Sequence, residues 1–463
     1  MRLRRPSVTK ATSFALVCLA GLMLDTAWPA AMVLKNVTLI DGTGAAPVQA
    51  AALVIDGGGR VSWVGPLDRL RAPAGAQSID LTGKYVIPGL IDAHVHLGLV
   101  YGLTQDVHFY TKDLVQQQLG VYAAYGITSV LVLGTDPDLI FDIRAAQRRA
   151  PATSTRVFTA GQGLVYKGSY GGVAGLNGRV ATAADARAAV DAQVAKGVDV
   201  IKFWVDDEFG SLPLRMPPDV SQAIIDAAHR HHLRAIAHVF YLDDARTLVQ
   251  QGVDALAHAV RDKPVDQSFI DAMKLHQTWQ LAETLSREAS FTYSTLPFLK
   301  DAFFTRAIAP STLEILSSSK YAQERAAAPH FARYPAVLRT AAQNIQREAA
   351  DGVMLGMGTD SGPSGRFPGY FAHWELELMV KAGLTPLQAL TAATGNNARF
   401  LGARDLGTLQ PGRWADLVVL DRDPVADIHN TRSIHSVYIA GQSVPTIWTL
   451  CVDRPPSACQ TGN

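Results

Sequence analysis

Two hydrophobic patterns run along the chain. Near its ends, short β-rich apolar runs are cut by turn residues. Val33–Ile40 stops at Asp41-Gly42-Thr43-Gly44, and Ala52–Ile55 and Val61–Val64 flank Asp56-Gly57-Gly58-Gly59. An Asp-Gly step between two such runs is a hairpin signal. Asp416–Leu420 and Ile434–Ile439, followed by Gly441, repeat this pattern late in the chain. From about 88 to 400 the pattern changes. Eight continuous apolar runs appear: Leu90–Val95, Ile127–Leu133, Thr155–Ala160, Asp199–Val205, Leu233–Phe240, Ala255–Val260, Thr278–Leu285 and Val353–Met357. Ala-rich helical stretches such as 182–195, 217–231 and 242–251 lie between most of them. Apolar strands alternating with helices predict a parallel sheet buried on both faces. The fold class expected is α/β: a (β/α)8 TIM barrel with a small β-sandwich domain formed from both termini.

The expected organisation follows. Residues 31–87 and 401–445 build the β-sandwich domain, 88–400 the barrel, and 446–463 a C-terminal tail. An insertion, 286–352, separates the last two barrel strands. Linkers of that length are usually functional, and ordinary helical packing is the alternative. Residues 1–30 read as a signal peptide. Arg2, Arg4, Arg5 and Lys10 precede the apolar run 11–24, and the small residues Ala27, Ala30 and Ala31 follow. The run is shorter than the roughly 18 residues of a membrane span. The expected location is periplasmic or secreted, with no membrane contact after signal removal. Cys451 and Cys459 then remain, and an even pair in an exported chain suggests a disulfide in the tail.

Composition narrows the function. Over 463 residues, 42 Lys+Arg stand against 41 Asp+Glu, and 48% of residues are hydrophobic. Such a chain is globular rather than disordered. Its charge balance argues against a nucleic-acid partner. No Gly-x-Ser-x-Gly elbow points to a serine hydrolase.

The chemistry lies where polar residues interrupt the apolar strands. The first ends Ile91-Asp92-Ala93-His94-Val95-His96. Residues two apart on a strand share a face, so both imidazoles point one way. Lys202 lies inside Val198-Asp199-Val200-Ile201-Lys202-Phe203-Trp204, and a lysine in a buried strand must be paired or modified. His238, His258 and Asp360 fall late in strands five, six and eight. Barrel enzymes place catalytic groups at that end. Imidazole and carboxylate are ordinary ligands of Zn²⁺ and related ions. Taken singly, a strand histidine is more often a core residue; five strand ends carrying this set point to a metal site.

Val86-Ile87-Pro88-Gly89-Leu90-Ile91-Asp92-Ala93-His94-Val95-His96 resembles the first-strand signature of the amidohydrolase superfamily. Lys202, His238, His258 and Asp360 follow in the order of its binuclear members. The resemblance implies two divalent metal ions, zinc by expectation. His94, His96 and Asp360 would hold the more buried ion, and His238 and His258 the second. Lys202 would bridge them as a carbamate derived from carbon dioxide. It also implies a metal-bridging hydroxide as nucleophile, with Asp360 as general base and then acid. Mononuclear deaminases and imidazolonepropionase-like enzymes generally lack the bridging lysine. The segments 374–386 and 385–400 resemble the prolidase-like branch (Xaa-Pro dipeptidase and imidazolonepropionase-like proteins). The implied activity is hydrolysis of an amide or peptide bond in a dipeptide or N-acyl amino acid. A lactonase, cyclic amidase or phosphoester hydrolase could use the same metals, and a non-catalytic metal-binding barrel is the reading from another class.

Many members of that branch carry a histidine for the substrate carboxylate in the loop after strand three. Here that loop is Gly161-Gln162-Gly163-Leu164-Val165-Tyr166-Lys167-Gly168-Ser169-Tyr170-Gly171-Gly172, without one. Tyr166, Lys167 or Tyr170 are the substitutes available. Tyr241, three residues past His238, is expected at the substrate carbonyl or oxyanion, with packing as its alternative. His373 and Trp374 are expected to line the substrate pocket. His229, His231 and His232 read as a solvated helix end. A homo-oligomer is left open.

Overall fold

The computed structural model describes residues 31–450, apart from 208, 282 and 283. The signal segment and all three cysteines, Cys18, Cys451 and Cys459, lie outside the described residues.

Residues from both ends of the chain share one eight-stranded sheet. Its order is Gln442–Val444, Ile434–Ile439, Leu417–Leu420, Tyr85–Pro88, Met32–Leu39, Val48–Ile55 and Val61–Pro66, with Gln77–Asp80 also on Met32–Leu39. The late strand Leu417–Leu420 runs antiparallel to Tyr85–Pro88, with Leu417 opposite Pro88 and Leu420 opposite Tyr85. Leu34, Val37, Leu53, Val86, Leu417 and Val419 bury their side chains in this unit's core. The strands therefore form one hydrogen-bonded path rather than the two separate sheets of a sandwich. The isolated bridge Arg60–Trp414 folds the far strand back towards the late segment. The turn at 56–59 is held by Asp56, whose side chain accepts from the Arg60 amide at 3.0 Å. Gly59 has a φ of +79°, and a Cβ there would fall 2.1 Å from the Ala440 carbonyl oxygen. Only glycine fits both the angle and the approach.

The middle of the chain is parallel α/β. One ladder runs Arg156–Thr159, Ile127–Val132, Leu90–Val95. The other runs Gly178–Val180, Leu164–Tyr166, Ile201–Trp204, Ala235–His238, Ala255–Leu256, Trp279–Gln280. Single backbone bonds connect them. The Asp199 amide donates to Thr159 at 2.8 Å, and the segment 353–361 bridges Gln280 on one side and Val95 on the other. Strands six and seven are shorter than their apolar runs. After Leu281 the chain turns at Thr284, in the left-handed region with φ 56°, and enters helix Leu285–Ser290. The run at 353–357 pairs through isolated bridges: the Gly356 amide donates to Gln280 at 2.9 Å and Ala93 to Met357 at 3.0 Å.

The segment 286–352 is mostly helical and ends in Tyr334–Ala350. That helix buries Val337, Ala341, Asn344, Ile345 and Glu348, the i, i+4, i+7, i+8, i+11 spacing of one face. Among the described residues, no helix is long and apolar enough to cross a membrane.

Candidate metal-dependent active site

The four imidazoles meet at the C-terminal ends of the parallel strands. His94 and His96 have ring centroids 5.4 Å apart, His94 and His258 5.0 Å, and His238 and His258 4.2 Å. Ligand atoms of His94, His258 and Asp360 all lie within 4.8 Å of one another. Neighbouring groups fix the rings. His96 Nδ1 is 2.7 Å from Thr135 Oγ1, His258 Nδ1 is 2.8 Å from Thr284 Oγ1, and His94 Nδ1 is 3.3 Å from the Ala257 carbonyl. With Nδ1 engaged, Nε2 is the atom left to face the centre. Burial lowers the pKa of each ring, that of His238 to about 4. Neutral imidazole is the metal-binding form.

Asp360 enters from the turn after strand eight. Its backbone is left-handed, with φ 55°, and its amide donates to the His94 carbonyl at 2.7 Å. Oδ1 lies 2.9 Å from His96 Nε2 and 3.6 Å from His94 Nε2. Oδ2 faces two guanidinium groups: Arg287 Nε at 2.9 Å and Arg366 Nη1 in a direct ion pair. Burial alone would raise this carboxyl, but Arg366 and the nearby imidazoles hold it well below its ordinary value.

Lys202 is 1% exposed, and its Nζ has no hydrogen-bond partner among the described residues. Burial is the main cause that brings its pKa down to about 7, against the pull of Asp360 and Asp206. The Trp204 ring lies beneath the amine, 5.1 Å from Nζ. Gly134, Gly163 and Gly171 wrap that indole: a Cβ on them would fall 2.9, 2.3 and 2.4 Å from its atoms. This packing accounts for Gly163 and Gly171 in the loop after strand three and for Gly134 after strand two.

A cavity of about 180 Å³ joins these groups, lined by His94, His96, His238, His258, Asp360 and Arg366, with Tyr170 and Trp204 among the rest. The chemistry of its lining fits divalent ions: neutral imidazoles and a carboxylate held ionised, with the buried Lys202 amine behind Trp204 and without a hydrogen-bond partner among the described residues.

Several expected site residues lie elsewhere. Tyr241 donates its hydroxyl to Asp207 at 2.8 Å and stacks under Arg215, whose guanidinium is 3.7 Å from the ring centroid. His373 is buried between Thr431 Oγ1 at 3.0 Å and the Tyr125 carbonyl at 2.8 Å. Trp374 packs edge-on against Phe298 and Phe371. Tyr166 ends its short strand, and its carbonyl accepts from Ser169 at 3.0 Å. None of the four lines the metal cavity. His229 and His231 pair with Asp254 and Asp191 at 2.8 and 2.7 Å, as a solvated helix end would.

Sequence reasoning missed Asp206, 2.7 Å from His238 Nε2, along with Thr135, Thr284, Arg287 and Arg366. Only Arg366 left a signal, as a lone cation in the Gly/Pro-rich turn six residues past Asp360.

The amidohydrolase family profile matches residues 85–444, most of the chain. The chain belongs to the amidohydrolase family. This amidohydrolase is 26% identical over 389 residues to an imidazolonepropionase of Streptomyces avermitilis, covering 82% of this chain and 83% of that protein. A solved Xaa-Pro dipeptidase with bound methionine superposes with a TM-score of 0.71 at 21% identity, over 89% of this chain and 99% of the other. The ochratoxinase of Aspergillus niger does so with a TM-score of 0.69 at 20% identity, over 90% and 96%. The amidohydrolase is therefore a metal-dependent hydrolase of carbon–nitrogen bonds, similar to the prolidase and imidazolonepropionase branch.

Proposed function

We propose that this amidohydrolase is an exported binuclear enzyme that cleaves the amide bond of a dipeptide or N-acyl amino acid. The reading takes its parallel strands as a (β/α)8 barrel with the β-rich unit packed beside it. His94, His96 and Asp360 would hold one zinc ion, His238 and His258 the other, and a carbamate on Lys202 would lie between. The observation that carries it is Lys202: a buried lysine whose charge reaches His94, His96 and His238, with no hydrogen-bond partner among the described residues and a pKa brought down to about 7. Only a neutral amine adds to carbon dioxide, and the product turns a costly buried cation into an anionic ligand.

When bound, the metal ions lower the pKa of water and polarise the scissile carbonyl. The chain's own groups do the rest. Asp360 offers Oδ1 towards the imidazoles while Oδ2 stays committed to the arginines. Oδ1 accepts the proton of the attacking water and passes it to the leaving nitrogen. Thr135 and Thr284 keep the rings of His96 and His258 turned to the centre. Arg366 supports a substrate with an anionic end: it is a cation lining the cavity, and among the described residues its side chain pairs only with Asp360.

The test is metal content of protein expressed with bicarbonate, together with ¹³C spectra after labelled bicarbonate. Two ions per chain and a carbamate signal lost in Lys202→Ala are expected. One ion with an unmodified lysine would overturn the binuclear reading.

A further inference from the structure

Glu375 lies on helix Tyr370–Lys381, fully buried and ninety residues beyond the turn it grips. Its Oε1 accepts from the Leu285 amide at 2.7 Å. Its Oε2 accepts from the Ser286 amide at 2.7 Å and the Ser286 hydroxyl at 2.6 Å. Three donors on one buried carboxylate fix the backbone of 285–286 in place. Both flanking residues reach the metal centre. Thr284 meets His258 Nδ1 from a left-handed backbone that a β-branched residue rarely adopts. Arg287 meets Asp360 Oδ2, and its Nη1 also pairs with Glu288, which Arg261 holds through Nε at 3.1 Å.

We infer that Glu375 is a positioning residue: by clamping the turn at 284–287 it sets the ring orientation of His258 and the orientation of Asp360. The inference rests on the metal-site reading above. A carboxylate used only for packing would need neither three short hydrogen bonds nor a strained Thr284 beyond them. The sequence Trp374-Glu375-Leu376 places the acid on a buried helix face where a leucine would fill space at lower cost.

Glu375→Gln keeps the shape but turns an N–H₂ towards an N–H donor, so one of the two amides loses its acceptor. The expected result is a folded protein whose affinity for added zinc falls about 10- to 100-fold, as for other residues that orient a metal ligand. kcat should fall with it, KM should change by less than about threefold, and excess zinc should restore kcat. Thr284→Val, which removes the hydroxyl at His258 Nδ1, should reproduce the loss of affinity even if the Glu375 variant fails to fold. In metal-free protein, ¹⁵N-histidine spectra should show one tautomer of His258 in the wild type and a mixture in both variants. Unchanged zinc affinity and an unchanged His258 tautomer would overturn the inference. If the wild type binds no divalent ion but the tautomer shifts, the metal reading fails and the positioning role stands.

Discussion

Arg366 and Asp360 form a buried ion pair through Oδ2 of the carboxylate, leaving Oδ1 2.9 Å from His96 Nε2. One oxygen of this carboxylate is thus held by cations and the other faces the imidazoles. Replacing Arg366 by Met removes the charge that pulls the Asp360 pKa down. The carboxylate would then be lost at higher pH. The acid limb of kcat/KM against pH should move up by about one to three units. An acid limb at the wild-type position would refute this coupling.

Lys202→Ala removes the buried amine that lies over Trp204, a residue of the cavity wall. Turnover should fall at least about a hundredfold, about 3 kcal/mol of barrier, with fewer ions retained on gel filtration. Dialysis against a chelator should abolish turnover of the wild type, and added zinc should restore it. Full activity in chelator would contradict a metal-dependent reaction.

Glu348 is fully buried on helix Tyr334–Ala350, and neither oxygen has a hydrogen-bond partner among the described residues. Burial raises its pKa from 4.5 to about 8. The folded state therefore keeps a proton that the unfolded chain releases above its own pKa. Stability should fall as pH rises between those two values, by at most about 1.4 kcal/mol per pH unit from this group. Glu348→Gln should flatten that slope in urea titrations at pH 5, 6, 7 and 8 (about the window named). An identical slope in the variant would show that the group is not the source.

Gly163→Ala places a methyl 2.3 Å from Trp204 Cζ3. Overpacking of this kind costs about 1–3 kcal/mol. The indole beneath Lys202 must shift, so Tm and zinc affinity should fall together. A drop in Tm with undiminished zinc affinity would separate the Trp204 platform from the metal site.

The sequence carried the parallel strands and the candidate site residues on them because both obey short periods. A histidine or lysine inside an apolar run of period two is visible without any partner. His94, His96, His238, His258 and Asp360 line one cavity, and Lys202 is buried behind its Trp204 wall. Tyr241, His373, Trp374 and Tyr166 were placed by proximity in sequence alone, and their partners lie far along the chain: Asp207, Thr431, Phe298 and the chain's own turn. Asp206, Arg287 and Glu375 escaped for the same reason. A polar side chain in a loop or helix gives no periodic signal of which distant group it will meet. Strand lengths were overread at 255–260 and 278–285 because apolar runs continue through turns that are themselves buried.

The pairing of Leu417–Leu420 with Tyr85–Pro88 has a consequence for the order in which the chain assembles. Gly89, at the start of the His94 strand, donates its amide to the Asp416 carbonyl at 2.8 Å. During synthesis, the strand leading into the ligand segment keeps one open edge until the C-terminal strands leave the ribosome. Contacts between such distant residues form late and slowly. A nascent chain stopped short of residue 416 would carry that edge uncovered, a template for aggregation.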